Sequence, residues 1–295
     1  MMKKILLSII VLLTLSGPVF GEINVVTSTS DLAYWVNAMG GDLVKVNSIA
    51  SPNADIHFVE VRPSYMAKIA KANIVFKVGL ELDKWMDQLI DGSRNDKLTI
   101  IDCSKYIKPL EVPTFKADAR YGDIHPRGNP HYWIGPQNVE PILKSILEGL
   151  KYVDAENAVF YRSRMDSLIS HISIDLENIR PKIQFLKGME IVYYHDSWPY
   201  FNEYTGLIAA GFIEPYPGIP PSPSHVKELT EMIKKRGIKV IAMEPYFDKR
   251  IPQKIAEDTG AKVVTLYPSI GGKDKNESYI DWLEGNVNVL LGGLK

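Results

Sequence analysis

Short β-branched runs alternate with helix-like stretches along most of this 295-residue chain. In the first half, strand-like runs at 23–26, 44–46, 74–78 and 98–101 are separated by helix-like stretches at 32–39, 63–72 and 82–90. In the second half, strand-like runs at 191–194, 207–213, 239–243 and 262–266 are separated or followed by helix-like stretches at 198–204, 224–236, 251–259 and 278–291. Strands that alternate with helices pair in parallel and are covered by those helices. The pattern therefore predicts an α/β fold with two parallel sheets, with Ser30 or Asp31 as the cap of the first helix.

Residues 154–186 separate the two halves and contain no glycine and one proline, Pro181. Their apolar residues recur at roughly helical spacing, which predicts one helix on the order of 40 Å long. A link this stiff argues against a wide-swinging hinge. Two ordinary helices broken near His171 are the alternative.

The first 21 residues have the form of a secretory signal peptide. Lys3 and Lys4 precede an apolar run at 5–15, which is short for a membrane span of roughly 20 residues. We expect cleavage before Glu22 and export into a periplasm, with an uncleaved anchor as the alternative. No cysteine lies near the cleavage point, so we expect no lipid anchor. The predicted organisation is a signal peptide (1–21), an N-terminal lobe (22–152), a linking helix (153–187) and a C-terminal lobe (188–295).

Charge and cysteine content narrow the function classes. The chain carries 34 Lys and Arg against 35 Asp and Glu, which excludes a nucleic-acid binder that works through excess basic charge. The single cysteine, Cys103, cannot form an intramolecular disulfide, and its apolar surroundings predict a buried thiol.

Three of the six histidines follow strand-like runs directly or through a loop. His57 comes after an early strand, His131 after a Pro/Gly-rich loop, and His195 where a strand passes into a helix. Open α/β sheets bind ligands at the carboxyl ends of their strands. Three neutral imidazoles brought together there suit zinc, with a fourth position left for oxygen or water. Taken singly, each histidine is more typical of a hydrogen-bonded loop or core residue.

Several segments together carry a family resemblance along the whole mature chain. They are His57 with the following Val-Arg-Pro-Ser, residues 129–133 (Asn-Pro-His-Tyr-Trp), 194–201 (Tyr-His-Asp-Ser-Trp-Pro-Tyr-Phe), the Pro-rich 217–224 and 243–247 (Met-Glu-Pro-Tyr-Phe). The chain resembles the solute-binding proteins of zinc and manganese ABC importers, which have a TroA-like fold of two α/β lobes joined by one long backbone helix. The resemblance implies that His57 and His131 from the first lobe and His195 from the second hold a metal between the lobes. It also implies an ABC permease and its ATPase as partners, and we expect a monomer that binds no nucleic acid.

The chain departs from many members of that family in a late loop. Where they supply an aspartate as fourth ligand, residues 266–272 contain no carboxylate. The fourth position is open between water, Glu60, Glu214, His125 and Asp274, with water or a nearby carboxylate ranked first. Glu60 is equally plausible as a brace of its loop, and Glu244 as a helix N-terminal or buried hydrogen-bonding group.

The remaining polar residues near these segments receive structural roles. We expect His125 to be a solvated loop residue, and His171 and His225 to serve structure or face solvent. Asp196 is expected to cap the following helix or to orient the ring of His195.

Three histidines without a secure carboxylate favour Zn(II) over Mn(II), because manganese prefers carboxylate and water. The sequence therefore predicts zinc capture and delivery to a permease. The rival hypotheses are an exported zinc hydrolase with a three-histidine and water site, and a metal-independent adhesin or scaffold. No His-Glu-x-x-His segment supports the hydrolase.

Overall fold

The structure, a computed structural model, describes residues 22–114 and 125–294. The predicted signal peptide at 1–21 lies outside the described residues. Among the residues that are described, no helix is both long and apolar enough to cross a membrane.

The first lobe is built on a parallel sheet. The elements are β1 (Ile23–Thr27), α1 (Ser30–Gly40), β2 (Val44–Ser48), α2 (Pro63–Ile69), β3 (Ile74–Lys77), α3 (Trp85–Ser93), β4 (Thr99–Asp102) and α4 (Val139–Val153). The described strands pair in the order β2-β1-β3-β4, with Val25 opposite Val46 on one side and Ile74 on the other. Both faces of the sheet are covered, so the central strands are apolar and buried. Helix α4 packs tightly on the sheet, since a Cβ added at Gly149 would meet Phe76 Cε1 at 2.7 Å.

The second lobe repeats this plan. Its elements are β5 (Glu190–Tyr193), α6 (Pro199–Thr205), β6 (Ile208–Phe212), α7 (Pro223–Arg236), β7 (Val240–Met243), α8 (Arg250–Thr259), β8 (Lys262–Thr265) and α9 (Tyr279–Leu294). The described strands pair in the order β6-β5-β7-β8, again in parallel. Strand β7 is buried from end to end because helices cover both faces of the sheet.

One uninterrupted helix, α5 (Ala158–Gln184), joins the lobes. Its 27 residues give a length of about 40 Å, and it packs against α1 and α4 of the first lobe and α9 of the second. The alternative of two helices broken near His171 is wrong, because His171 lies within the continuous helix. The predicted fold class, two parallel-sheet α/β lobes with one connecting helix, is confirmed.

The lobes also meet directly through a shared apolar core and hydrogen bonds. Trp133 Nε1 of the first lobe donates to the carbonyl of Pro268 at 2.9 Å. The backbone N–H of Ile270 donates to Asp31 Oδ1 at 2.9 Å. The prediction that Ser30 or Asp31 caps α1 is wrong. Thr29 holds the cap position, while Asp31 is buried and contacts the second lobe instead.

Candidate metal centre

His57 lies in the loop between β2 and α2, and its orientation is set two residues earlier. Asp55 Oδ1 accepts hydrogen bonds from both the backbone N–H and the ring Nδ1 of His57, at 3.0 and 2.9 Å. The loop itself is anchored where Trp85 Nε1 donates to the carbonyl of Ile56 at 2.9 Å. Because a carboxylate only accepts, Nδ1 is the donor in this hydrogen bond, and Nε2 is the ring nitrogen that remains for a ligand.

His131 is held in the same way from the loop before α4. Asn129 Oδ1 accepts from the backbone N–H of His131 at 3.0 Å and from its Nδ1 at 2.9 Å. Asn129 also donates from Nδ2 to the carbonyl of Asp196 at 2.8 Å, which fixes this loop against the second lobe. The two first-lobe histidines are thus oriented by the same local contact, a hydrogen bond to the side chain of an Asp or Asn two residues earlier in the chain.

His195 lies just after β5, and the acceptor of its ring hydrogen bond lies just after the neighbouring strand, β6. Glu214, directly after β6, accepts from His195 Nδ1 at Oε2 over 2.7 Å. Its Oε1 accepts from the backbone N–H of Gly218 at 3.0 Å. The sequence makes Glu214 a candidate for the fourth ligand and gives no signal that it is the acceptor for His195.

The structure brings the three predicted histidines together in the cleft. One ring nitrogen from each of His57, His131 and His195 lies within 4.8 Å of the others. The ring centroids are 5.1 Å apart for His57 and His131, 5.3 Å for His57 and His195, and 5.5 Å for His131 and His195. His57 Nε2 is buried and has no hydrogen-bond partner in the part of the chain that the structure describes. Since all three Nδ1 atoms are occupied, the nitrogens left for a cation are the Nε2 atoms.

Burial controls the charge of these rings in different ways. It lowers the pKa of His131 well below the usual value, so this ring is neutral at neutral pH and able to bind a metal. Burial also lowers the pKa of His195, but the hydrogen bond to Glu214 and the negative charge of Glu244 outweigh it and raise that pKa. A cation entering the cleft therefore competes with a proton at His195.

Most candidates for a fourth ligand are already engaged. Glu60 is exposed and forms an ion pair with Arg62, so it braces its own loop. Asp274 accepts from the backbone N–H of Asn276 at 2.9 Å in an exposed turn. Glu214 accepts a hydrogen bond from His195.

His125 differs from the expectation. It is buried, with 8% of its surface exposed, so the prediction of a solvated loop residue is wrong.

Asp196 does not have either predicted role. The helix after His195 has Trp198 at its cap position without a side-chain cap, and the acceptor for His195 is Glu214. Burial, followed by the negative charge of Glu111, raises the pKa of Asp196 to about 8. Glu244 is fully buried and accepts from Trp198 Nε1 at 2.9 Å, as expected for a buried hydrogen-bonding group.

The other predicted bystanders lie away from the cluster. His171 is exposed on α5, where its Nδ1 bonds to the carbonyl of Ser167 at 2.7 Å. His225 lies in the first turn of α7 and its Nε2 contacts the carbonyl of Phe212 at 2.9 Å. Cys103 is a buried free thiol.

Two parallel-sheet lobes on one long helix, with histidines from both lobes converging in the cleft, define a class of two-lobed metal-binding receptors. The chain belongs to the family described as "Zinc-uptake complex component A periplasmic", whose sequence profile matches residues 25–293. This is a family of substrate-binding proteins of metal ABC transporters, and the chain is a binding component of that kind, not an enzyme.

Individual relatives are distant but span most of the chain. A metal ABC transporter substrate-binding lipoprotein of Lactococcus lactis is 24% identical, with 92% of this chain and 88% of the relative covered. The manganese-binding lipoprotein MntA of Halalkalibacterium halodurans is 21% identical, with 92% and 88% covered. The structure of a mutant of the laminin-binding adhesin Lmb of Streptococcus agalactiae superposes with a TM-score of 0.79 at 25% identity, over 92% of this chain and 100% of that one. These comparisons establish the fold and the family and give the hydrolase hypothesis no support.

Proposed function

We propose that this protein captures Zn(II) between its lobes through Nε2 of His57, His131 and His195, and delivers it to an ABC permease driven by its ATPase. The observation that carries the proposal is the shared arrangement of the three rings. Each Nδ1 donates to a fixed oxygen, on Asp55, Asn129 or Glu214, and Nε2 of His57 is buried without a hydrogen-bond partner among the described residues. Such outer partners fix the tautomer and strengthen the ligand.

The donor set favours zinc over manganese. Manganese prefers carboxylate oxygen and water, whereas imidazole nitrogen suits zinc. Two of the carboxylates beside the cluster, those of Asp55 and Glu214, accept hydrogen bonds from ring nitrogens and serve as orienting groups. The relatives include a protein named for manganese, so the metal has to be argued from this chain's own ligands.

Capture takes place in the periplasm after removal of residues 1–21, and the protein acts as a monomer that binds no nucleic acid. The balance of 34 basic and 35 acidic residues supports the last point. Release to the permease uses small movements of the lobes and of the loops that carry His131 and His195. The continuous helix α5 and the interlobe bond from Trp133 to Pro268 oppose wide opening.

A metal-content experiment tests this function. The mature protein, freed of metal by chelation and dialysed against zinc, is expected to retain one zinc per chain, and a variant with His57, His131 and His195 all changed to Ala is expected to retain none. His171→Ala, on the exposed face of α5, is the control and should behave as the wild type. Equal zinc content in the triple variant and the wild type would overturn the proposed site.

A transport experiment tests delivery. In cells that lack the endogenous gene and grow under zinc chelation, the wild-type protein should restore zinc uptake and the triple variant should not. Restored uptake by the triple variant would contradict a role for this site in transport.

A further inference from the structure

His125 is buried beside the candidate metal centre, and one of its ring nitrogens takes no part in the hydrogen bonds of the described residues. It is 8% exposed, and among the described residues its buried Nε2 has no hydrogen-bond partner. Its ring centroid lies 5.5 Å from that of His57, which is within the range that separates the three clustered rings from one another. A buried polar atom without a partner is costly unless something else satisfies it.

The backbone around His125 is fixed. Its carbonyl accepts from the N–H of Gly128 at 3.0 Å, and the N–H of Asn129 donates to the carbonyl of Leu110 at 2.8 Å. Gly128 has φ +106°, and a Cβ there would meet the Leu110 carbonyl oxygen at 2.7 Å, so the turn requires glycine. The turn therefore presents His125 at a defined place, six residues before His131.

His125 also faces the same space as the clustered rings. Together with His131, His195 and Glu214 it lines a cavity of about 290 Å³. The ring nitrogens of His125 are outside the group that lies within 4.8 Å, so a rotation of its side chain is needed to reach an ion held by the other three.

We propose that His125 is the fourth zinc ligand of this chain, donating Nε2 to the ion once His57, His131 and His195 have bound it. This inference rests on the proposed function. The chain lacks a carboxylate at 266–272, and the carboxylates of Glu60, Glu214 and Asp274 already have partners. Asp196, which lines the same cavity, is hydrogen-bonded to Glu111. A four-imidazole site leaves no open position for water and strengthens the preference for zinc over manganese.

Cobalt spectroscopy on the wild-type protein tests the coordination number without any substitution. Co(II) bound by three imidazoles and water takes up thiocyanate at the open position and changes its visible spectrum, whereas a site closed by four imidazoles does not. We expect the spectrum of the wild-type cobalt protein to be unchanged by thiocyanate. A spectrum that responds to thiocyanate would overturn the inference.

Substitution of His125 provides the second test. His125→Ala removes a proposed ligand, so it is expected to weaken zinc binding by more than the roughly 10–100-fold typical of an outer partner and to make the cobalt spectrum respond to thiocyanate. His225→Ala is the matched control, since His225 lies on α7 and contacts the carbonyl of Phe212. Thermal melts of the metal-free proteins check that His125→Ala is folded.

The outcomes separate the two proposals. If the wild type binds zinc tightly and a folded His125→Ala variant binds it equally well, His125 is not a ligand and the three-histidine site stands. If the wild type does not retain zinc at all, the proposed function fails whatever His125 does, and this inference fails with it.

Discussion

The Nδ1 atom of His195 donates a 2.7 Å hydrogen bond to Oε2 of Glu214. The two residues follow β5 and β6, which are neighbouring strands, and the backbone N–H of Glu214 donates to the carbonyl of Tyr194 at 2.8 Å. The sheet therefore sets the distance between the ring and its acceptor. This contact lies almost wholly out of water, since the two side chains are 6% and 10% exposed.

Glu214→Ala is expected to weaken zinc binding by about 10–100-fold, which is the usual cost of losing an outer hydrogen-bond partner of a ligand. The ring of His195 would lose both its fixed tautomer and its orientation. Chelator competition measures the effect. Glu231→Ala, an exposed carboxylate on α7, is the control, and equal affinities in the two variants would contradict the assigned role of Glu214.

His195→Ala removes a proposed ligand and should cost more than the roughly 10–100-fold expected for an outer partner. His171→Ala should leave zinc affinity unchanged, because His171 is exposed on α5 and bonds to the carbonyl of Ser167. The same competition titration compares them. Similar losses in both variants would show that the site lies elsewhere.

Zinc affinity should fall in mild acid because of His195. Burial lowers its pKa, but the hydrogen bond to Glu214 and the charge of Glu244 raise the pKa above 6.5 overall. Below that raised pKa the ring holds a proton that zinc must displace, so we expect affinity to drop by about tenfold per pH unit. Competition titrations between about pH 8 and about pH 5 measure this slope. An affinity that stays constant across the range would contradict it.

Asp31 should make the stability of the protein depend on pH. Burial raises its pKa from 3.8 to about 7 while Oδ1 accepts from the N–H of Ile270. The folded protein thus keeps a proton that the unfolded chain has lost. Relative to its value at neutral pH, the free energy of unfolding therefore gains a contribution from Asp31 that is complete below about pH 4. This contribution is lost as the pH rises to about 7, and it amounts to at most roughly 4 kcal/mol.

The variant Asp31→Asn keeps an oxygen acceptor and cannot ionise, so its free energy of unfolding should vary less between about pH 4 and about pH 7 than that of the wild type. Urea unfolding at a series of pH values measures the slope. Asp42→Asn, at an exposed position just after α1, is the control. An Asp31→Asn slope that equals that of the wild type would show that Asp31 does not carry the dependence.

Local patterns were sufficient to predict the alternating elements and the continuous helix. Strand-like runs and glycines at helix ends are properties of short segments, so the strands near Ile23, Ile74 and Val240 were found within a few residues. The three histidines were found because each follows a strand-like run directly or through a loop, and the sheet places strand ends on one edge.

Long-range contacts account for what the sequence did not predict. Glu214 is 19 residues from His195 along the chain, and Asp31 is 239 residues from Ile270, so neither pairing leaves a local pattern. His125 lines one cavity with His195 and Glu214 of the second lobe, and the N–H of Gly128 bonds to its carbonyl, which are also contacts that its own sequence segment does not reveal. A usable local signal did exist at Asp55 and Asn129, each two residues before a histidine, where short polar side chains commonly bond to a following backbone N–H.

The measurement that tests the central claim most directly is a competition between Zn(II) and Mn(II) for the metal-free protein, with a chelator that buffers both ions. A site built from the imidazoles of His57, His131 and His195 should bind zinc far more tightly, since nitrogen donors rank manganese lowest among the divalent first-row metals. One zinc per chain that a large excess of manganese does not displace is the predicted result. Tighter binding of manganese than of zinc would contradict the account.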